Sequence, residues 1–157
     1  MPGNPEFMRQ AIALATENVT SGRGGPFGAL VVRDGVVIAV GANEVTTTND
    51  PTAHAEVVAI RRAGAALKKF RLAGCEIYTS CEPCPMCLAA IYWARIGRIW
   101  YGNDRKDAAA IGFDDDLLYQ EIARPLSQRA IPTERLLPEE ARAAFVAWAQ
   151  KEDKVPY

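Results

Sequence analysis

The sequence predicts an α/β fold with three layers, αβα. Segments with apolar residues at helical spacing alternate along the chain with short runs rich in valine and isoleucine, and this alternation is typical of a sheet covered by helices. An Asp34-Gly35 pair separates two of these runs, which predicts a β-hairpin. The chain has 157 residues with neither internal repeats nor a long linker, so we expect one domain over residues 1–157.

Local signals define each predicted element. Helices are assigned where apolar residues recur every three or four positions, and strands where short β-branched runs end at turn residues. Thr52 is predicted to cap the second helix, and Pro85 suits the first turn of the third. In chain order the predictions are a helix over 6–18, strands over 27–33 and 36–40, a helix from Ala55 toward Phe70, a strand over 76–80, a helix from Pro85 through Ala94, a strand over 98–101, and helices over 116–122 and 138–150.

The composition is that of an ordinary globular protein and excludes several classes. Hydrophobic residues make up 49% of the chain and charged residues 24%, and the formal net charge is −1. This balance argues against a protein built mainly to hold a nucleic-acid backbone. No apolar run approaches the roughly 20 residues of a membrane span, and the first residues lack a secretory signal. We therefore expect a cytoplasmic protein with no membrane partner.

The cysteines indicate a metal site rather than a disulfide framework. Cys81, Cys84 and Cys87 lie within seven residues of one another, and Cys75 is the fourth cysteine. Three cysteines so close in sequence are too local to staple a fold. A reducing compartment and a bound metal explain this spacing better.

The most informative residues are His54, Glu56, Cys84 and Cys87. One imidazole and two thiolates form the ligand set that holds a catalytic Zn²⁺ with its fourth position open, and His54 is the only histidine. The His-x-Glu and Pro-Cys-x-x-Cys segments are the pattern of zinc nucleobase deaminases. Both segments lie at predicted helix starts, where the helix N-terminus stabilises a thiolate. Glu56 is placed to move protons without binding the metal.

Two other metal sites are compatible with the cysteines. A structural zinc would need a fourth protein ligand. Cys81 and Cys75 are the only spare cysteines, and Cys81, at a predicted strand end, could supply that ligand. An iron–sulfur cluster on all four cysteines would leave His54 and Glu56 without a role.

Longer segments resemble the bacterial guanine deaminase family, within the cytidine deaminase-like superfamily of zinc hydrolases. The resemblance covers nearly the whole chain and implies the mixed sheet of that superfamily. The zinc half-sites are shared by all its members, whereas Gly112-Phe113-Asp114-Asp115 and the terminal Tyr157 are more specific. The segments that carry the resemblance are 24–29, 43–47, 49–56, 78–87, 91–95 and 112–115, together with Tyr157.

The resemblance implies a role for each of these positions. It implies one zinc ion per subunit on His54, Cys84 and Cys87, with Glu56 and Asp115 as catalytic residues. The implied substrate-binding residues are Phe27, Asn43, Ala55, Trp93, Asp115 and Tyr157. It further implies a homodimer that exchanges the C-terminal segment, about residues 138–157, so that Tyr157 closes the partner's site.

The implied reaction is hydrolytic deamination of guanine, a small-molecule purine, to xanthine and ammonia by a zinc-bound hydroxide, with Glu56 as proton shuttle. Guanine carries N–H donors at N1 and at its 2-amino group, which suit a carboxylate such as Asp115. Adenine has no donor at N1, and a mispaired buried polar group costs about 1–3 kcal/mol.

Several alternatives remain open at the level of sequence. The same zinc pattern serves a tRNA adenosine deaminase and a cytosine or nucleotide deaminase, and an inactive zinc module could also retain it. Phe27 and Trp93 could be core residues, Asn43 could cap a turn, and Asp114-Asp115-Asp116 could be a solvated acidic turn.

Overall fold

A mixed β-sheet organises the first part of the chain. The computed structural model describes residues 2–157. Within this range β1 lies antiparallel to both β2 and β3, whereas β3 and β4 are parallel. The strands are β1 (Gly28–Arg33), β2 (Val36–Ala42), β3 (Cys75–Cys81) and β4 (Arg98–Asn103), in the sheet order β2-β1-β3-β4.

The helices alternate with these strands as the apolar pattern predicts. The first helix begins after Asn4, whose side chain accepts a hydrogen bond from the Glu6 N–H at 2.9 Å, an arrangement that satisfies an otherwise unpaired donor. The described helices are α1 (Pro5–Thr20), α2 (Val45–Thr48), α3 (Ala55–Leu67), α4 (Pro85–Trp93), α5 (Arg105–Ala110), α6 (Asp115–Ala123) and α7 (Pro138–Gln150), with a 3₁₀ turn at Leu126–Gln128.

The two faces of β1 pack against different helices. Ala29 and Val31 belong to a buried cluster with residues of α3 and α4. Leu30 and Val32 point to the opposite face and pack with Ala11 of α1. Side chains alternate across a strand, so this one buried run supplies both apolar layers. The three-layer αβα prediction is confirmed.

Most predicted elements are present, and the hairpin has the expected turn. Asp34 and Gly35 both have positive φ, at 51° and 75°, which is the backbone of a type I′ turn. The short helices α2 and α5 are the elements that the sequence prediction missed. α5 is only six residues long, too short to show a helical apolar repeat, and the capping box between Asp104 and Asp107 defines its start.

The predicted cap of α3 is wrong. The N-cap residue is His54, and its side chain makes no capping hydrogen bond. The Thr52 N–H and hydroxyl both donate to Asp50 Oδ1, at 2.8 and 2.7 Å. Thr52 therefore closes a turn before the helix. The N-cap position falls to His54, whose ring is not used for capping and is free to bind a metal ion.

The chain divides into two compact units, the first ending at Tyr119 and the second covering Gln120–Tyr157. No residue of the second unit is buried. Its large apolar side chains include Phe145 and Leu136, which are 80% and 84% exposed. None of the helices in the described range is long and apolar enough to cross a membrane.

Gly41 allows β2 to approach α3 closely, and we predict that Gly41→Ala destabilises the fold. A Cβ at this position would lie 2.2 Å from Ala55 O and 2.7 Å from Ala59 N, both backbone atoms. Overpacking of this kind costs about 1–3 kcal/mol or more. Urea unfolding at fixed protein and zinc concentration measures the loss.

Gly97→Ala is the matched control, since a Cβ there meets nothing closer than Cys75 O at 3.7 Å. Equal unfolding midpoints for the two variants would contradict the close approach of β2 and α3.

Candidate active site

Two helix N-termini carry the predicted metal ligands. His54 and Cys84 are the N-cap residues of α3 and α4, both with extended backbone. Cys87 lies in the first turn of α4 and is fully buried. The positive ends of the two helix dipoles therefore lie next to the sulfur atoms, where they favour thiolate.

The three donor atoms have the spacing of a tetrahedral zinc site. His54 Nδ1 lies 3.6 Å from Cys84 Sγ and 3.6 Å from Cys87 Sγ, and all three donors lie within 4.8 Å of one another. Zinc bonds of ordinary length at the tetrahedral angle place a nitrogen and a sulfur ligand about 3.6 Å apart. The residues present therefore fit a zinc ion with one open position.

The protonation of the two thiols also fits a divalent cation. The hydrogen bond from Cys87 lowers the pKa of Cys84 to about 4. The same contact raises the pKa of Cys87, and the hydrogen bond to Cys84 raises the pKa of His54. One thiolate forms readily while the second thiol keeps its proton, and a bound cation takes the place of that proton.

The other two cysteines are not part of this cluster in the described chain. Burial raises the pKa of Cys81 to about 12, and its sulfur lies 3.7 Å from Asp104 O. Cys75 is buried in the apolar cluster beneath α3. Neither supplies the fourth ligand that a structural zinc would need.

Glu56 is buried beside the metal ligands. Its side chain is 5% exposed and its Oε1 accepts a hydrogen bond from Thr79 Oγ1 at 3.2 Å. Burial raises the pKa of this carboxyl above its ordinary value. A carboxyl with a raised pKa is suited to accept and return a proton near neutral pH.

A cavity of about 280 Å³ opens above these residues. It brings together His54, Cys84 and Glu56 with three of the predicted substrate-binding residues. Its lining is Gly25, Phe27, Asn43, Val45, Thr46, Pro51, His54, Glu56, Glu82, Cys84, Phe113 and Asp115.

Three predicted substrate-binding residues are not part of this lining. Ala55 is fully buried in the core at the first position of α3. Trp93 ends α4 and is 61% exposed, with the Arg95 guanidinium 5.8 Å from its ring. Tyr157 belongs to the second unit and is 70% exposed. Their contacts with substrate stay predictions.

Asn43 is held in place by a buried side chain that sequence reasoning missed. Asn18 Nδ2 donates to Asn43 O and to Gly25 O, both at 2.9 Å. Asn43 Oδ1 in turn accepts from the Val45 N–H at 3.3 Å. This last contact directs the amide oxygen to the backbone, so the amide NH₂ is the group that suits an acceptor atom of a purine.

Phe113 and Asp115 also line the cavity. The Phe113 ring packs edge-on against Phe27, with centroids 4.7 Å apart. Burial, and next the nearby Cys84 thiolate, raise the pKa of Asp115. Phe113 was not assigned a role from the sequence, although it lies inside the specific Gly112–Asp115 segment.

Comparison with known proteins shows the family to which a chain with this metal site belongs. Residues 1–103 match the family model of the cytidine and deoxycytidylate deaminase zinc-binding region. Guanine deaminase of Bacillus subtilis is 51% identical over 151 residues, which cover 96% of this chain and 97% of that protein. The chain belongs to the guanine deaminase family of zinc-binding deaminases.

Structure and sequence agree on this family. The X-ray structure of guanine deaminase from Bacillus subtilis superposes with a TM-score of 0.95 and 49% identity, covering 99% of each chain. A tRNA-specific adenosine deaminase of Agrobacterium fabrum is 48% identical over only 86 residues, or 55% of this chain and 57% of that protein. The guanine deaminase fold thus extends over 99% of the chain, and zinc is the family's metal.

We predict that zinc content depends on the three clustered donors and not on the other cysteines. His54→Ala and Cys87→Ser each remove a ligand, so they lower bound zinc from one ion per chain toward none. Cys81→Ser, the matched control, keeps full zinc because its sulfur lies outside the cluster. Elemental analysis after dialysis against a weak chelator measures this, and zinc loss from Cys81→Ser alone would contradict the assignment.

Proposed function

We propose that this protein hydrolyses guanine to xanthine and ammonia. The observation that carries the proposal is a single cavity in which zinc ligands, a buried Glu56 and the acceptor Asp115 face one another. Similarity to the Bacillus subtilis guanine deaminase over almost the full length of both chains supports the same substrate.

The purine lies in the cavity between aromatic and polar side chains. Phe27 and Phe113 provide an apolar wall for the flat base, and the Asn43 amide donates to an acceptor atom of the purine. Asp115 accepts hydrogen bonds from N1–H and the 2-amino group. Only a base with donors at both positions satisfies this carboxylate, which favours guanine over adenine.

The reaction needs one water, both of whose protons are relayed, and no other reactant. Zinc, when bound, supplies a Lewis acid that lowers the pKa of a water ligand. Glu56 accepts the first proton as the water oxygen bonds to C2 and passes it to N3, which takes up the electron pair of the C2–N3 π bond. Glu56 then moves the remaining hydroxyl proton to the amine, so that the C2–N2 bond breaks, C2=O forms and ammonia leaves. The Thr79 hydroxyl keeps the Glu56 carboxyl oriented throughout.

A tRNA adenosine deaminase activity is the second candidate, because the Agrobacterium fabrum enzyme shares 48% identity over part of the chain. Such an activity requires binding of an RNA backbone, which usually comes with a basic excess. The formal net charge of −1 and an acidic residue in the base-binding wall favour the free purine.

We predict that Glu56→Gln binds zinc normally and loses nearly all turnover of guanine. Removing a general acid–base group lowers kcat by about 100-fold or more. Xanthine and ammonia formation measure the rate, and Glu17→Gln on the exposed surface of α1 is the control. A zinc-loaded wild-type protein that is inert toward guanine but deaminates another base would overturn the substrate, and a near-normal rate for Glu56→Gln would overturn the shuttle.

We further propose that the active form is a homodimer that exchanges its C-terminal segment. None of the residues Gln120–Tyr157 is buried. The exposed side chains include large apolar ones, since Phe145, Leu136 and Ile131 are each at least 78% exposed. Ordering such a segment costs conformational entropy that its own contacts do not offset. A second copy of the chain supplies the missing apolar surface, which is the logic of an exchanged dimer.

Mixed dimers test whether Tyr157 acts on the partner's site. One chain carries Glu56→Gln and keeps Tyr157, while the other keeps Glu56 and lacks Tyr157. We predict that each homodimer has little activity and that co-refolded mixtures recover it, because the heterodimer then contains one complete site. Light scattering confirms the dimer mass.

Recovery only on mixing supports action on the partner. Inactive mixtures would place Tyr157 in its own chain's site, and a fully active truncated homodimer would overturn the lid role.

A further inference from the structure

Asp115 is held in the cavity by elements outside the sheet. β4 ends at Asn103, and the following helices α5 and α6 add no strand to it. Backbone hydrogen bonding in a sheet therefore does not determine how far Asp115 lies from the zinc ligands. Side-chain contacts of residues 105–123 must do so, and one of them joins Phe27 to Phe113, in the loop between α5 and α6.

Tyr119 makes the contact that joins Asp115 to the metal ligands. It follows Asp115 by four residues on α6, so the two side chains lie on one face of that helix. Its hydroxyl donates to Pro83 O at 2.8 Å. Pro83 immediately precedes the ligand Cys84, so one hydrogen bond connects the helix of Asp115 to the turn that carries a zinc ligand.

Arg105 and Glu82 hold the ring of Tyr119. The Arg105 guanidinium lies 4.3 Å from the ring centroid, within the range of a cation–π contact. Glu82 Oε2 accepts from the Arg105 backbone N–H at 3.1 Å and lies 3.6 Å from its Nε. These four residues, Tyr119, Arg105, Glu82 and Pro83, form the Tyr119 cluster. Their contacts link α5 and α6 to the turn that carries Cys84, and Glu82 also lines the cavity.

We propose that Tyr119 is a positioning residue that sets the distance between Asp115 and the zinc-ligand turn. It touches neither substrate nor metal and acts through Asp115. The inference rests on the proposed guanine deaminase function, in which Asp115 recognises N1–H and the 2-amino group. Loss of the hydroxyl lets α6 move away from the turn, so the Asp115 carboxylate no longer meets both donors.

A double-mutant cycle tests this role. Tyr119→Phe removes only the hydroxyl and keeps the ring under Arg105, and Tyr101→Phe on β4 is the matched control. We expect Tyr119→Phe to lower kcat/KM for guanine about tenfold, the effect of one lost hydrogen bond, with zinc content unchanged. Guanine binding is then titrated in the zinc-loaded Glu56→Gln protein, where no turnover interferes, with and without Asp115→Asn.

The cycle separates positioning from general destabilisation. If Tyr119 acts through Asp115, Tyr119→Phe weakens guanine binding several-fold when Asp115 is present and hardly at all after Asp115→Asn. Equal weakening in both backgrounds, an unchanged kcat/KM, or loss of zinc from Tyr119→Phe would each overturn the inference. Wild-type protein inert toward guanine would instead overturn the proposed function, and the inference with it.

Discussion

The close approach of one imidazole and two sulfurs is the constraint on which this molecule depends. His54 and Cys84 begin different helices, so the donors meet only when α3 and α4 pack on the same face of the sheet. Burying thiolates without a cation is costly. Zinc binding and the packing of these two helices are therefore thermodynamically coupled. The free energy of zinc binding contributes to the stability of the fold.

The same packing creates the chemical environment of Glu56. Gly41 lets the backbone of α3 lie directly on β2, and this contact buries the first turn of the helix. Glu56 is consequently removed from water and meets the Thr79 hydroxyl of β3. A carboxyl on an exposed helix would keep its ordinary pKa. The close packing of α3 on the sheet is therefore what raises the pKa of Glu56.

Local sequence predicts the parts of the site that depend on local spacing. The Cys-x-x-Cys interval places two sulfurs on one helical turn, and the structure brings His54 to them. Thr52 was assigned the wrong role because a turn with Asp50 competes with capping, and propensity does not decide between them. The roles of Asn18 and Tyr119 could not be predicted, because the contacts that matter, to Asn43 and to Pro83, join residues 25 and 36 positions apart in the chain.

The two halves of the cavity are held by different kinds of interaction. The metal half is built from helix N-termini anchored to the central strands. The half that we propose to bind the purine consists of Asn43, Phe113 and Asp115 on loops and a helix outside the sheet, and Asn18 holds the backbone of Asn43. Changes in this second half can alter the base that is recognised without disturbing the metal ligands.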